Sequence, residues 1–313
     1  CLNFFFKLFF PVNPWSIKGK LLVLLLKLVY SPIYFFSFGL LNYPRKGFEE
    51  NPAYYRWFDA LYLGFKYYFK PIRNSEKNQN LRNYFRKMNL QFFIPQGYEE
   101  TNNLSLNVGG DLMPYEFINQ KNAKNLWSEV GEDFFSADIV FANLETPIDV
   151  NKPVGLVPEV MLNDMYFNGN EDFFNVINGN GAFKGFDVLS IANNHMLDMG
   201  EKGLINTLNF LENKKVSFVG SSKNLIDYPE FIIKEINQIK IAFVAFTYSM
   251  NKELPINDKL YLTHFERLNN ENPEIANTVN ACLNARKAGA DLVVLSLHTG
   301  NAYQVYPSVH TVN

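Results

Sequence analysis

Hydrophobic and polar positions change texture along the chain. Between residues 21 and 41 the sequence is apolar almost without interruption (LLVLLLKLVYSPIYFFSFGLL), with Lys27 as its single charge. At about 1.5 Å of rise per residue, a helix of that length crosses a hydrocarbon core. Lys27 and Pro32 count against spanning, since a central lysine costs roughly 2.5–3.5 kcal/mol and proline removes a helical hydrogen bond. The alternatives are a pair of buried helices, or a segment lying in the interface and broken at Pro32. Lys18, Lys20, Arg45 and Lys46, with Trp15 and Tyr43, flank the run as interfacial anchors do. Over residues 52–70, Tyr54, Trp57, Phe58, Leu61, Phe65 and Tyr68 recur at three- and four-residue steps. That spacing predicts an amphipathic helix with an aromatic packing face. Residues 73–83 are polar and read as a connector or a short exposed helix.

From about residue 104 short apolar runs alternate with helical patterns. Strands are predicted at 104–108, 139–142, 188–191, 216–219, 239–246 and 292–297, and helices at 200–212 and 274–288. This alternation predicts a layered α/β domain over residues 101–313, preceded by a helical, apolar region over residues 1–100.

Composition sharpens the division. With 47% hydrophobic and 19% charged residues in 313, wholesale disorder is excluded. Two cysteines, Cys1 and Cys282, cannot build a disulfide framework or a cysteine-rich zinc site. The net charge of −2 hides an asymmetry: residues 1–100 carry 14 Lys and Arg against 6 Asp and Glu, and the remainder 15 against 25. The first hundred residues also hold 27 of the 50 aromatics, and residues 1–46 have six basic side chains and no acidic one. So Leu- and Phe-rich a basic front suits membrane lipid better than nucleic acid, and residues 1–46 are expected to associate with lipid. Gly179, Gly181 and Gly185 do not have dinucleotide-fingerprint spacing, and no phosphate loop or Gly-x-Ser-x-Gly elbow is present.

The chemistry is concentrated where strands end. After the first come Gly109-Gly110-Asp111, and after the second Asn143-Leu144-Glu145. After the third come Asn193-Asn194-His195 and Asp198, and after the last His298-Thr299-Gly300-Asn301. Open α/β sheets bind ligands beyond those ends. Carboxylate and amide oxygens suit hard cations and imidazole suits Mn, Fe or Zn, so a divalent metal site is expected there. Two such ions would clamp a phosphoester and activate water. Each piece also has a purely structural reading. Asp111 can cap a turn, Asn143 and Glu145 a loop, and His298 can be a hydrogen-bonded core histidine. Three polar residues directly after a buried strand need partners, which a metal or a polar network would supply. Together the four strand ends favour one functional crevice.

These segments resemble one family. They are Val108-Gly-Gly-Asp111-Leu-Met113; Ala137-Asp-Ile-Val-Phe-Ala-Asn143-Leu-Glu145-Thr-Pro147; Phe186-Asp-Val-Leu-Ser-Ile-Ala-Asn193-Asn194-His195-Met-Leu-Asp198-Met-Gly200; and Asp291-Leu-Val-Val-Leu-Ser-Leu-His298-Thr-Gly300-Asn301. In this order, over roughly residues 104–307, the sequence is similar to the CapA family of bacterial capsule, or poly-γ-glutamate, synthesis proteins. The resemblance implies a calcineurin-like metallophosphatase fold, with two β-sheets sandwiched by helices. It implies Asp111, Asn194 and His298 as metal ligands, with Glu145 a ligand or a base close behind one. It makes His195 the acid that protonates a leaving oxygen, oriented by Asp198, with Asn143 and Asn193 supporting the ligands. It further implies one or two divalent ions, an anionic polymer or phosphorylated substrate, capsule-assembly partners, and a place at the cell envelope. Two departures stand out. Thr299 occupies a place where the family has Trp, and no Gly-His-x-x-His segment appears, His310 lying in the wrong context. A piece of a longer protein with an incomplete metal site is therefore expected. A non-catalytic polymer-binding subunit on the same fold, or a soluble phosphoesterase with a packed N-terminal domain, are the alternatives.

Overall fold

The computed structural model describes residues 14–42, 45, 55–69, isolated positions between 83 and 97, 103–162, 166–225, 229–251, 257–270 and 272–303. Residues 1–13, Tyr43, Lys46, Tyr54, His310 and nearly all of 73–83 lie outside the described residues.

Four parallel strands in the order β1 (Leu106–Leu112), β2 (Ile139–Leu144), β3 (Val188–Ser190) and β4 (Ser217–Val219) form the first sheet. Every residue of β2 and β3 is buried, as continuous apolar runs in a parallel sheet covered on both faces should be. The second sheet pairs β5 (Ile232–Ile236) antiparallel with β6 (Ile239–Thr247), and β6 parallel with β7 (Leu292–His298). The sheets face each other through one core, where the rings of Phe141 and Phe243 stack 5.2 Å apart beside Ile139, Val188, Ile241 and Ala245. On the outer face of the first sheet pack the short helix α3 (Gly131–Phe135), α4 (Glu171–Ile177) and α5 (Gly200–Asn213), with Phe135, Phe173, Phe174, Leu204, Leu208 and Leu211 buried. α6 (Ala276–Lys287) covers the outer face of the second sheet through Ala281 and Ala285. This helix–sheet–sheet–helix layering is the metallophosphatase-like architecture that the sequence resemblance implied.

Three details differ from the pattern reading. The segment 109–111 is no free turn: β1 runs on through it to Leu112, with a register shift between Val108 and Asp111. Gly109 permits this, since a Cβ there would meet the Cβ of Ala142 at 3.2 Å. β5 and α4 were not anticipated. β5 joins β6 through Asn237 and Gln238, both at positive φ (52° and 66°), the backbone of a two-residue hairpin turn.

In the N-terminal region, α1 (Ile17–Phe36) is continuous through Pro32, so the alternative of a segment broken there does not occur. Ser16 caps it, its hydroxyl accepting from the Gly19 amide at 2.8 Å. α2 (Trp57–Gly64) continues into one wider turn, Phe65–Phe69, and packs on α1 through Leu41, Tyr62 and Phe65. Phe65 and Tyr68 are buried as the aromatic stripe predicts, whereas Trp57, at the first helical position, is 79% exposed. The pair docks on the α/β domain. The Ser16 amide and hydroxyl donate to the Glu159 carboxylate at 2.5 and 2.6 Å. Val23, Tyr68 and Val160 share a cluster, and the Tyr68 hydroxyl donates to the Met161 carbonyl. The far face of α1 stays open, with Ile17, Leu21, Leu25, Leu28 and Phe36 exposed. α1 is long and apolar enough to cross a membrane, with mean hydropathy 1.6 over its best window and 11% of that window buried.

Candidate metal centre

The parallel register carries polar side chains to one edge of the sandwich. Asp111 on β1 lies opposite Asn143 on β2, and Asn143 opposite Ser190 on β3. The Asn143 amide donates to Asp111 Oδ1 at 2.8 Å. The Asn193 amide in turn donates to Asn143 Oδ1 at 3.1 Å and to the Leu144 carbonyl at 2.8 Å. Asn143 and Asn193 thus form a chain that fixes the Asp111 carboxylate from behind, as expected for supporting residues. Glu145 is one residue beyond β2, its amide held by the Leu112 carbonyl at 3.1 Å.

The second sheet contributes His298, at the last position of β7 and opposite Thr247 on β6. Asp111, Glu145 and His298 each place one donor atom within 4.8 Å of the others. His298 Nδ1 is 4.0 Å from Asp111 Oδ1, and Nε2 is 3.6 Å from Glu145 Oε1. Asn194 joins them, its Oδ1 lying 2.8 Å from His298 Nε2. All four expected ligands therefore meet.

The electrostatics suit a cation. Burial, reinforced by the adjacent Asp111 carboxylate, raises the Glu145 pKa to about 8. Burial also holds the His298 imidazole below its ordinary range, against the attraction of Asp111, so its ring stays neutral and able to ligate. Two carboxylates, an amide oxygen and a neutral imidazole around one point form a mixed oxygen and nitrogen donor set that fits a divalent transition metal.

His195 stands beside this group. Its Nδ1 is 2.6 Å from Asp198 Oδ2, and the same oxygen accepts the Phe167 amide at 2.7 Å. Asp198 is fully buried, and the Phe167 ring stacks on the imidazole at 3.9 Å. The carboxylate thus sets the tautomer with the proton on Nδ1 and fixes the ring plane. Sequence reasoning missed two participants. Asn251, four residues past β6, receives the Asn194 amide at 2.9 Å and lies 3.0 and 3.1 Å from the two nitrogens of His195. The strand-end rule that found the other residues extends to it. Phe167 carried no signal, because a lone phenylalanine outside any strand is indistinguishable from core. Thr299 donates to Asn269 Oδ1 at 2.6 Å, so at the position where the family carries Trp this chain makes a polar contact.

Comparison with known proteins agrees with this architecture. Capsule biosynthesis protein CapA of Bacillus anthracis is 24% identical over 225 residues, which is 68% of this chain and 51% of that protein. PGA biosynthesis protein CapA of Bacillus subtilis (strain 168) is 25% identical over 220 residues, 66% of this chain and 51% of that protein. The chain spans about half the length of these curated relatives. The sequence profile described as bacterial capsule synthesis protein PGA_cap matches residues 105–313, all of the α/β domain from β1 onward. The chain therefore belongs to the bacterial capsule synthesis protein family PGA_cap.

Proposed function

We propose that this chain is the membrane-associated metal-site portion of a capsule or poly-γ-glutamate biosynthesis protein of the cell envelope, with phosphoesterase-type chemistry. The observation that carries the reading is the convergence of Asp111, Glu145 and His298, with donor atoms within 4.8 Å of one another, beside the His195–Asp198 pair. Asp111, Glu145, His298 and the Asn194 carbonyl would hold a divalent cation, which when bound supplies Lewis-acid polarisation of a phosphoryl oxygen and a more acidic water. The remaining chemistry belongs to side chains. With its Nδ1 proton directed at Asp198, His195 presents Nε2 to the site and, once protonated there, delivers that proton to a leaving oxygen. Asp198 holds the resulting imidazolium by its charge. Asn251 keeps Asn194 and His195 in fixed relation. The open apolar face of α1 supports seating in lipid, with the exposed Lys18 near the helix start placed for anionic headgroups.

The test uses the full chain extracted from membranes. Bound metal is quantified after loading with Mn, Fe or Zn, and hydrolysis of an aryl phosphate is followed for the wild type and His195→Ala. Retained metal, with activity lost in the variant, is expected. Absence of retained metal together with unchanged turnover in His195→Ala overturns the reading.

A further inference from the structure

The sandwich has a second polar feature, where its two edge strands β4 and β5 come together. A cavity of about 720 Å³ opens between them, running from the end of α5 along β4 to residues 221–224. Its described lining includes three lysines, Lys215, Lys223 and Lys234, and one carboxylate, Glu212. That carboxylate already pairs with Lys223, at 2.5 Å. Lys234 is placed unusually. Strand alternation puts it on the same face of β5 as Ile232 and Ile236, which pack into the core between the sheets. A charged side chain thus occupies a position where the I-x-K-x-I pattern would bury a third aliphatic. Ser221 adds an independent observation: the residue lines the cavity and is 2% exposed, and its buried hydroxyl has no hydrogen-bond partner. A buried hydroxyl left in that state costs free energy unless a ligand satisfies it. The backbone contributes as well. Ser217 and Val219 bond towards β3, through the Asp187 carbonyl and the Ile191 amide. Phe218 between them must then direct its amide and carbonyl to the open side.

We infer that this edge cleft binds an extended polyanionic chain bearing regularly spaced carboxylates, held by Lys215, Lys223 and Lys234 and by the Ser221 hydroxyl. The lining offers ammonium groups, hydroxyls and an unpaired strand edge, an arrangement that takes an elongated anion along β4. Lysine supplies point charges without the planar fork that selects phosphate bidentately. Among the described lining residues, the aromatic platforms on which nucleic-acid bases stack are reduced to Phe218. This inference rests on the polymer-biosynthesis reading above and names where the polymer is held, in a cleft whose described lining includes none of the metal ligands.

The experiment is fluorescence anisotropy of a labelled poly-γ-glutamate oligomer with the full chain in detergent, titrated against inorganic phosphate at matched charge. Lys215→Gln combined with Lys234→Gln is expected to weaken oligomer binding about tenfold, as loss of two partly shielded charge contacts would. Ser221→Ala should weaken it about three- to tenfold. Asp111→Asn should lose metal and keep oligomer affinity, so failure of the cleft and failure of the metal centre are read separately. Wild-type affinity in the double variant, or displacement by phosphate as effective as by oligomer, overturns the inference. An inward lysine on an edge strand can also serve only to block strand pairing. If the double variant aggregates, Lys215→Gln with Ser221→Ala decides: unchanged affinity there also overturns the inference.

Discussion

His298 Nε2 donates to Asn194 Oδ1 at 2.8 Å, joining residues 104 apart in sequence and on different sheets. The roles are fixed by the neighbours. The Asn194 amide nitrogen is already committed to Asn251 Oδ1 at 2.9 Å, so its oxygen faces the imidazole and Nε2 carries the proton. That leaves the lone pair of Nδ1 on the side of Asp111, 4.0 Å away. The centre is thus preorganised from both sheets at once. Asn194→Ala removes both a candidate oxygen ligand and the group that orients the His298 ring, and is expected to lower Mn²⁺ affinity by at least about 10–100-fold, the range found when a residue orienting a ligand is lost. His298→Ala should lower it further. Isothermal titration calorimetry checks both, and equal affinities for wild type and Asn194→Ala would contradict the ligand-orienting role.

Glu145 gives the centre a pH dependence. Its folded pKa is about 8, against the ordinary carboxylate range near 4.5. Below about 8 a cation must displace a proton from it, so metal affinity should rise with pH up to that point and then level off. Calorimetry at pH 7 in two buffers of different ionisation enthalpy should detect release of about one proton. The apo protein shows the linked effect. Between about 4.5 and 8 the folded state binds the proton that the unfolded state has lost, so stability falls as pH rises across that window. Glu145→Gln should flatten the fall, measured as thermal midpoint against pH.

Much of this was legible in sequence for one reason. β2 and β3 are buried on both faces, so their apolar runs are continuous and the polar residues that end them stand out. That contrast located Asn143, Glu145, Asn193, Asn194 and His195 before any geometry existed. β5 escaped because it is a partly exposed edge strand with charged Lys234 and Glu235 in its middle. The apolar pattern ends the first strand at Val108 because two glycines ordinarily end a strand, whereas here they let β1 bulge against Ala142 and run on through Asp111. Trp57 was assigned to a packing stripe by spacing alone, and its position at the start of α2 turns it outward.

His264 predicts acid sensitivity. It is 1% exposed, its Nδ1–H donates to the Ala245 carbonyl at 3.1 Å, its amide donates to the Gly220 carbonyl, and its carbonyl accepts from the Thr247 amide. It therefore ties the end of β4 to the end of β6 as a neutral ring. Burial lowers its pKa to about 4. The unfolded chain takes up the proton near pH 6.5 and the folded chain only near 4, so stability is full above about 6.5 and falls as pH drops towards 4. The loss is on the order of 3 kcal/mol by the end of that window. His264→Asn keeps a donor towards Ala245 and removes the titration. Its denaturation midpoint should be lower at pH 7, and the loss on acidification from 7 to 4 should disappear, leaving the opposite slope that Glu145 sets between about 4.5 and 8. A wild-type slope in the variant would assign the acid sensitivity to other groups.

The contact of α1 with Glu159 can be separated from its proposed contact with lipid. A Cβ on Gly19 would sit 2.7 Å from the Glu159 carboxyl carbon, so Gly19→Leu must expel the carboxylate and break both of its bonds from Ser16. Loss of both bonds should cost about 1–3 kcal/mol and free the start of α1. Trypsin would then cut faster at Lys18 and Lys20. Leu25 is 60% exposed on the opposite face and touches neither Glu159 nor the Val23–Tyr68–Val160 cluster. Leu25→Glu should leave tryptic protection in detergent unchanged while reducing recovery in the membrane fraction after a high-salt wash. The two variants thus report on different faces of one helix. If Leu25→Glu also loses tryptic protection, the outer face takes part in docking and the division of α1 into a protein side and a lipid side fails.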